Sequence, residues 1–150
     1  MSLKKTASVA ACVALLGLAA PSAQAVRINK FDTLTESEIN QSYYFDWNRN
    51  STFRAALFKA FKTSNLKPPA WLRQGSGPSK PSRLIKNGTA NFVLLNTCQA
   101  GKCDDNEIYV LFDTTTKTAS AVAQIEGKTT WIGNPTAASK EILSSHSGMH

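Results

Sequence analysis

Only a few side chains in this sequence have the type and spacing to do chemistry. Cys98 and Cys103 bracket a short polar segment, the acids Asp104, Asp105 and Glu107 follow at once, and His146 and His150 stand near the C-terminus. A Ser-His-Asp or Cys-His system needs an imidazole held by packed neighbours. Both histidines fall in a segment from Ser144 that reads as a polar tail, which offers no such packing. No glycine-rich phosphate loop, nucleophile elbow or paired-carboxylate signature is present. Cysteine and histidine are also zinc ligands, yet the interval from Cys103 to His146 is far too long for zinc-finger spacing. These residues point away from an enzyme, a metal centre and a bound cofactor.

What remains is the segment Cys98-Gln99-Ala100-Gly101-Lys102-Cys103, and the N-terminus indicates its redox setting. Lys4-Lys5, an apolar run from Ala7 to Ala20, Pro21 and Ala23-Gln24-Ala25 have the order of a secretory signal peptide over residues 1–25, cut after Ala25. The predicted mature chain, 26–150, is the size of one domain with one core. Cys12 leaves with the leader. In an oxidising compartment Cys98 and Cys103 are expected to form a disulfide. Closing so small a ring stabilises the fold by about 2 kcal/mol and stiffens the loop. A stiff projection has little conformational entropy left to lose when it enters a partner's cleft.

Charge is unevenly distributed. The chain carries 17 Lys and Arg against 10 Asp and Glu, a formal +7, of which Lys4 and Lys5 belong to the leader. From Arg49 to Lys102 every charged residue is basic; the acids cluster just after Cys103. A basic half suits anionic cell-envelope polymers such as peptidoglycan. Export argues against nucleic acid as a partner. After the leader no apolar run approaches the roughly 20 residues of a membrane span.

The elements that must position the ring follow from periodicity. A short helix is expected around Glu36–Gln41, then a loop through Tyr43-Tyr44-Phe45-Asp46-Trp47, whose aromatics are a candidate homodimer surface. Phe53, Ala56, Leu57, Ala60 and Phe61 recur at helical spacing, predicting an amphipathic helix over Thr52–Ser64. Pro68-Pro69 ends helical structure, and Gly75–Pro81 reads as a loop. Arg83–Lys86 and Thr89–Leu95 read as strands around an Asn87-Gly88 turn. Ile108–Phe112, Ser120–Ile125 and Thr129–Ile132 are further strands, with a Glu126-Gly127 turn between the last two. A closing helix spans Thr136–Leu143. Strands joined by short turns imply an α+β fold: a five-stranded antiparallel sheet with helices on one side.

In order, the amphipathic helix, Pro69-Ala70-Trp71, two strands, the C-x4-C segment and Ile108-Tyr109-Val110-Leu111-Phe112 resemble the inhibitor of vertebrate lysozyme family, Ivy. The similarity runs from about Phe53 to Leu143. It implies a periplasmic protein of bacterial type whose disulfide loop, Cys98 to Cys103, plugs a lysozyme's substrate cleft, with Asp104, Asp105 and Glu107 at the loop's rim. Well-known members carry Cys-Lys-Pro-His-Asp-Cys, whose histidine meets the enzyme's two catalytic carboxylates. Here Gly101 takes the histidine's place and Lys102 the aspartate's. The resemblance therefore implies a plug with an altered tip, in which Lys102 faces the carboxylates, or a relative directed at lytic transglycosylases or envelope polymers.

Overall fold

The two strands with the longest buried runs, β2 (Ala90–Cys98) and β3 (Glu107–Asp113), pair in the interior of a five-stranded antiparallel sheet. β1 (Arg83–Asn87), β4 (Thr118–Ile125) and β5 (Lys128–Ile132) complete it in chain order, so every strand lies beside its predecessor. Among the described residues five helices join the sheet in an α+β architecture. This computed structural model describes residues 27, 28, 30 and 33–150. The expected signal peptide and its cut after Ala25 lie outside the described residues.

Successive strand residues point to opposite faces. One face presents Val93, Leu95, Ile108, Val110 and Phe112, and receives α3 (Ser51–Thr63) through the predicted stripe Phe53, Ala56, Leu57, Ala60 and Phe61. Asn50 starts α3 by accepting hydrogen bonds from the backbone N–H of Thr52 and Phe53, each at 3.0 Å. Trp47, Phe53 and Phe112 pack edge-to-face, with centroids 5.4 Å apart for Phe53–Phe112 and 6.0 Å from each to Trp47. Such a pair contributes about 0.5–1.5 kcal/mol beyond its buried area. The Trp47 indole donates to Ser42 Oγ at 2.8 Å, so its burial leaves no polar group unpaired.

The helix α1 (Glu36–Asn40) forms where expected, with Thr35 and Glu38 making a reciprocal cap. The segment read as a loop after it is instead a helix, α2 (Tyr44–Asn48). Asp46 starts α2 by accepting from the Tyr43 N–H at 2.9 Å. This one turn sends Tyr44 and Trp47 into the core and leaves Phe45 exposed. Tyr44 and Trp47 are therefore not a dimer surface. A second short helix, α4 (Ala70–Gln74), begins directly after the prolines. Side chains of α2 satisfy its last turn: the Tyr44 hydroxyl donates to Leu72 O and Asn48 Nδ2 to Arg73 O, both at 3.2 Å.

The first hairpin turn is displaced by one residue. Asn87 pairs with Ala90, leaving Gly88-Thr89 as the connection, with Gly88 at φ +60°. This register sets Leu84 against Val93 and Ile85 against Phe92. A turn at Asn87-Gly88 would set the same two residues against Asn91 and Ala90, losing apolar cross-strand pairs. The Glu126-Gly127 turn forms as read, with φ +50° and +75° and Ile125 paired with Lys128.

Helices cover both faces of the sheet, not one. The last helix, α5 (Ala137–Ser147), packs on the second face, where Leu143 and Met149 meet Leu94, Tyr109, Leu111 and Val122. It runs past the expected end at Leu143, so the segment from Ser144 is helix and not a polar tail. Gly148 closes it at φ +71°, donating to Ser144 O at 2.9 Å, and Met149 folds back into the core.

Candidate functional site

The β2–β3 connection carries the ring. Cys98 and Cys103 are disulfide-bonded, with Cα atoms 5.0 Å apart. Cys98 ends β2 as a buried residue paired with Glu107, which opens β3. The ladder continues one step further, as Gln99 N donates to Asn106 O at 2.9 Å. Beyond that the chain turns on one carbonyl: Lys102 O accepts from Asn106 N at 2.9 Å and Asp105 N at 3.2 Å, while Lys102 N donates to Gln99 O at 2.9 Å. Ala100, Gly101, Lys102, Asp104 and Asp105 are exposed; Gln99 and Cys103 are half-buried. Gly101 sits at the tip with φ +76°, in the left-handed region that glycine adopts without strain, and an added Cβ would meet nothing within 4 Å.

Two neighbouring segments brace the base of the ring. Asn106, buried, accepts through Oδ1 from Glu126 N at 3.0 Å, and Gly127 N donates to Asp105 O at 3.0 Å, tying the ring to the β4–β5 turn. On the other flank the segment Gly75–Pro81 runs against the end of β2. Pro78 O accepts from Cys98 N at 3.0 Å and from Thr97 Oγ1 at 3.1 Å. Gly77 approaches so closely that an added Cβ would lie 1.9 Å from Cys98 O. Sequence reasoning did not single out Asn106, Gly77 or Pro78. Their function depends on pairing across the sheet end, and the only local signal was a glycine between a serine and a proline in a loop.

The rim is partly as read. Asp104 and Asp105 stand exposed beside Gly101 and Lys102, lining a shallow depression of about 600 Å³ to which Glu126 adds a third acid. Glu107 does not join them. It is half-buried, accepts from Asn96 Nδ2 at 2.7 Å, and faces Lys80 Nζ at 3.9 Å. Strand alternation explains this, since Glu107 lies on the sheet face that carries Tyr109. Lys80 also donates to the Tyr109 hydroxyl, a hydrogen bond that raises its ammonium above the ordinary lysine range.

The opposite flank of the ring is aromatic and basic. Ala100 borders a groove of about 760 Å³ shared with Tyr43, Phe45, Asn48, Arg49 and the Gln74–Ser79 segment. The Tyr43 and Phe45 rings stack 5.8 Å apart at 5°, and the Arg49 guanidinium lies 5.9 Å from the Phe45 centroid. The ring thus stands between an acidic depression and an aromatic ledge.

His146 does not reach this end as a ligand or base; it lines a separate groove with Lys80 and Arg83. Among the described residues no group of three or more His, Cys, Asp and Glu is arranged to hold a metal ion. No helix among them is long and apolar enough to cross a membrane. The fold and site define an α+β domain with one covalently closed, exposed strand connection. No protein-family model matches the chain, and no curated protein matches it.

Proposed function

We propose that this protein is an exported, periplasmic inhibitor of lysozyme-type muramidases that occupies the enzyme's cleft with the Cys98–Cys103 ring and performs no catalysis of its own. The observation that carries the reading is the ring itself: disulfide-closed, exposed from Ala100 to Lys102, and anchored at its base by Asn106 and Pro78. Ring closure and anchoring leave little entropy to lose on insertion. The resemblance to the Ivy family, in the order of its elements, supports the same assignment.

The chemistry at the tip follows from the target. A muramidase cleft holds one protonated and one ionised carboxyl group. Gly101 presents no side chain to them, so the polar contact falls to Lys102, whose ammonium is a flexible, strongly hydrated point charge. Asp104 and Asp105 face the basic rim of such an enzyme and steer the approach. The bare Gly101 favours one second reading: a relative that leaves c-type lysozyme uninhibited and binds a lytic transglycosylase or peptidoglycan.

Titration into c-, g- and i-type lysozymes and a lytic transglycosylase, at low and moderate salt, separates these. Saturable inhibition that is lost when Gln99–Lys102 is replaced supports the plug. Lys102→Ala should weaken it; unchanged inhibition removes Lys102 from the mechanism. Sedimentation with peptidoglycan and no inhibition of any enzyme supports the second reading.

A further inference from the structure

The helices α2, α3 and α4 cover one sheet face, with Tyr44, Trp47, the α3 stripe and Leu72 turned inward. What this layer turns outward is cationic. Arg49, Arg54, Lys59, Lys62, Lys67 and Arg73 are all exposed, and none forms an ion pair among the described residues. The one acid from Tyr43 to Gln74, Asp46, is buried. The remaining acids among the described residues stand away from α3. Glu36 and Glu38 belong to α1, which packs on β1, whereas α3 packs on β4 and β5. Three strand spacings, about 14 Å, lie between, and charges are screened over about 8 Å at physiological ionic strength. Register puts Glu107 and Asp113 on the face that α5 covers, and Glu141 is on α5 itself. Asp104, Asp105 and Glu126 are at the ring end of the sheet. The α3 C-terminus lies at the other end, where Ser64 Oγ accepts from Gly133 N at 2.7 Å just beyond β5. The five residues of β5 span about 17 Å between those ends.

The cations are not alone on the outer side of α3. Arg54, Phe58 and Lys62 recur at four-residue spacing and so form one stripe along the helix. Phe58 is half-buried, with the Arg54 guanidinium 5.5 Å from its ring centroid. Phe58, Lys59, Lys62 and Thr63 line a shallow depression of about 720 Å³. Lysine stems and a phenyl ring give such a depression apolar walls beneath a rim of ammonium groups. We infer that the outer face of α3, through Arg54, Phe58, Lys59 and Lys62, docks this protein on the surface of an anionic phospholipid bilayer. Charge complementarity supplies the attraction, since basic residues close to such a surface each add to the affinity. Phe58 selects lipid over a soluble polyanion. At a bilayer the phosphates meet the cations and the acyl boundary just below meets the phenyl ring; a hydrated polymer such as peptidoglycan would leave that ring in water. Docking by this face keeps the disulfide ring clear of the membrane, because the ring closes one end of the strands and α3 lies across their face. The site is separate from the ring and does not depend on muramidase inhibition.

The test is cosedimentation of the purified protein with mixed phosphatidylglycerol–phosphatidylcholine vesicles, with pure phosphatidylcholine vesicles and with peptidoglycan. The mixed vesicles should bind it saturably and reversibly, and the binding should fall steeply between about 0.05 M and about 0.5 M salt. Each cation at the surface is worth about fivefold, so Lys59→Gln with Lys62→Gln should weaken binding by about 25-fold. Arg83→Gln with Lys140→Gln changes the net charge equally but on the α5 side of the sheet, and should weaken it by less than about threefold. All four residues are exposed, so both double variants keep the fold. Replacing Gln99–Lys102, which removes the proposed inhibition, should leave vesicle binding within about threefold and so separates this face from the ring. No binding to the mixed vesicles, equal binding to pure phosphatidylcholine, capture by peptidoglycan alone, or equal losses in the two double variants would each overturn the assignment.

Discussion

Reducing the Cys98–Cys103 bond should lower the melting temperature by about 9 °C while leaving the fold intact. The two cysteines are separated by 5 positions, so the bond closes a loop of about six residues. The loop-closure relation for that length gives about 7.4 cal/mol/K, or about 2.2 kcal/mol at 25 °C. An unfolding entropy of about 2.1 cal/mol/K per residue over roughly 120 ordered residues totals about 250 cal/mol/K, and the quotient is the stated shift. The loss should stay local, because the hydrogen bonds that brace the base, from Asn106 and Pro78, do not involve the sulfurs. The assay is calorimetry on oxidised protein and on protein reduced and alkylated at both thiols, with amide shifts recorded on each. Shift changes should be confined to residues 97–107, the Gly77–Pro78 segment and the Glu126–Gly127 turn. A drop beyond about 20 °C, or loss of dispersed signals, would mean the bond holds the sheet and not merely its own loop; a drop under about 2 °C would mean the unfolded chain gains no freedom from its removal.

Gly77→Ala puts a methyl group where Cys98 O already stands, 1.9 Å away, and backbone must move to admit it. The variant should lose about 1–3 kcal/mol in urea denaturation, with faster hydrogen exchange at the Cys98 amide as the local signature. Asn50→Ala removes the two hydrogen bonds that start α3 and the 2.7 Å bond from Nδ2 to Ile28 O; a cost of about 1–2 kcal/mol is expected from the denaturation midpoint. Glu38 accepts from the Thr35 backbone and hydroxyl, and these hydrogen bonds lower its carboxyl below the ordinary glutamate value of 4.5. Its contribution to stability is therefore present above about pH 4.5 and is lost as pH falls through the lower folded-state value. A carboxyl titration by NMR with Glu38 at or above 4.5 would contradict the cap.

The strands and α3 were legible because each has a period: alternation from Ile108 to Phe112, and the stripe from Phe53 to Phe61. The α2 and α4 helices span five residues each, too few to show one. The last turn of α4 is satisfied from α2, through Tyr44 and Asn48, a partnership no local window contains. The first turn misled because Asn-Gly is the strongest hairpin signal available, yet cross-strand packing of Leu84 and Ile85 outweighed it. The end of α5 was written in Gly148-Met149, a left-handed cap followed by an apolar residue, but the run of serines before it masked the signal. At the site, the ring and its acids were visible as a cluster. That Glu107 turns away from Asp104 and Asp105 depends on strand phase, and the bracing by Asn106 and Gly77 depends on register at the sheet end.

The strand order bears on biosynthesis. Because neighbours in the sheet are neighbours in the chain, the two sulfurs belong to a single hairpin and meet without help from any distant segment. They are also the only thiols among the described residues, so within these an oxidant has one product to make. The clasp can be shut as soon as that hairpin has formed, before α5 has been delivered to cover the far side.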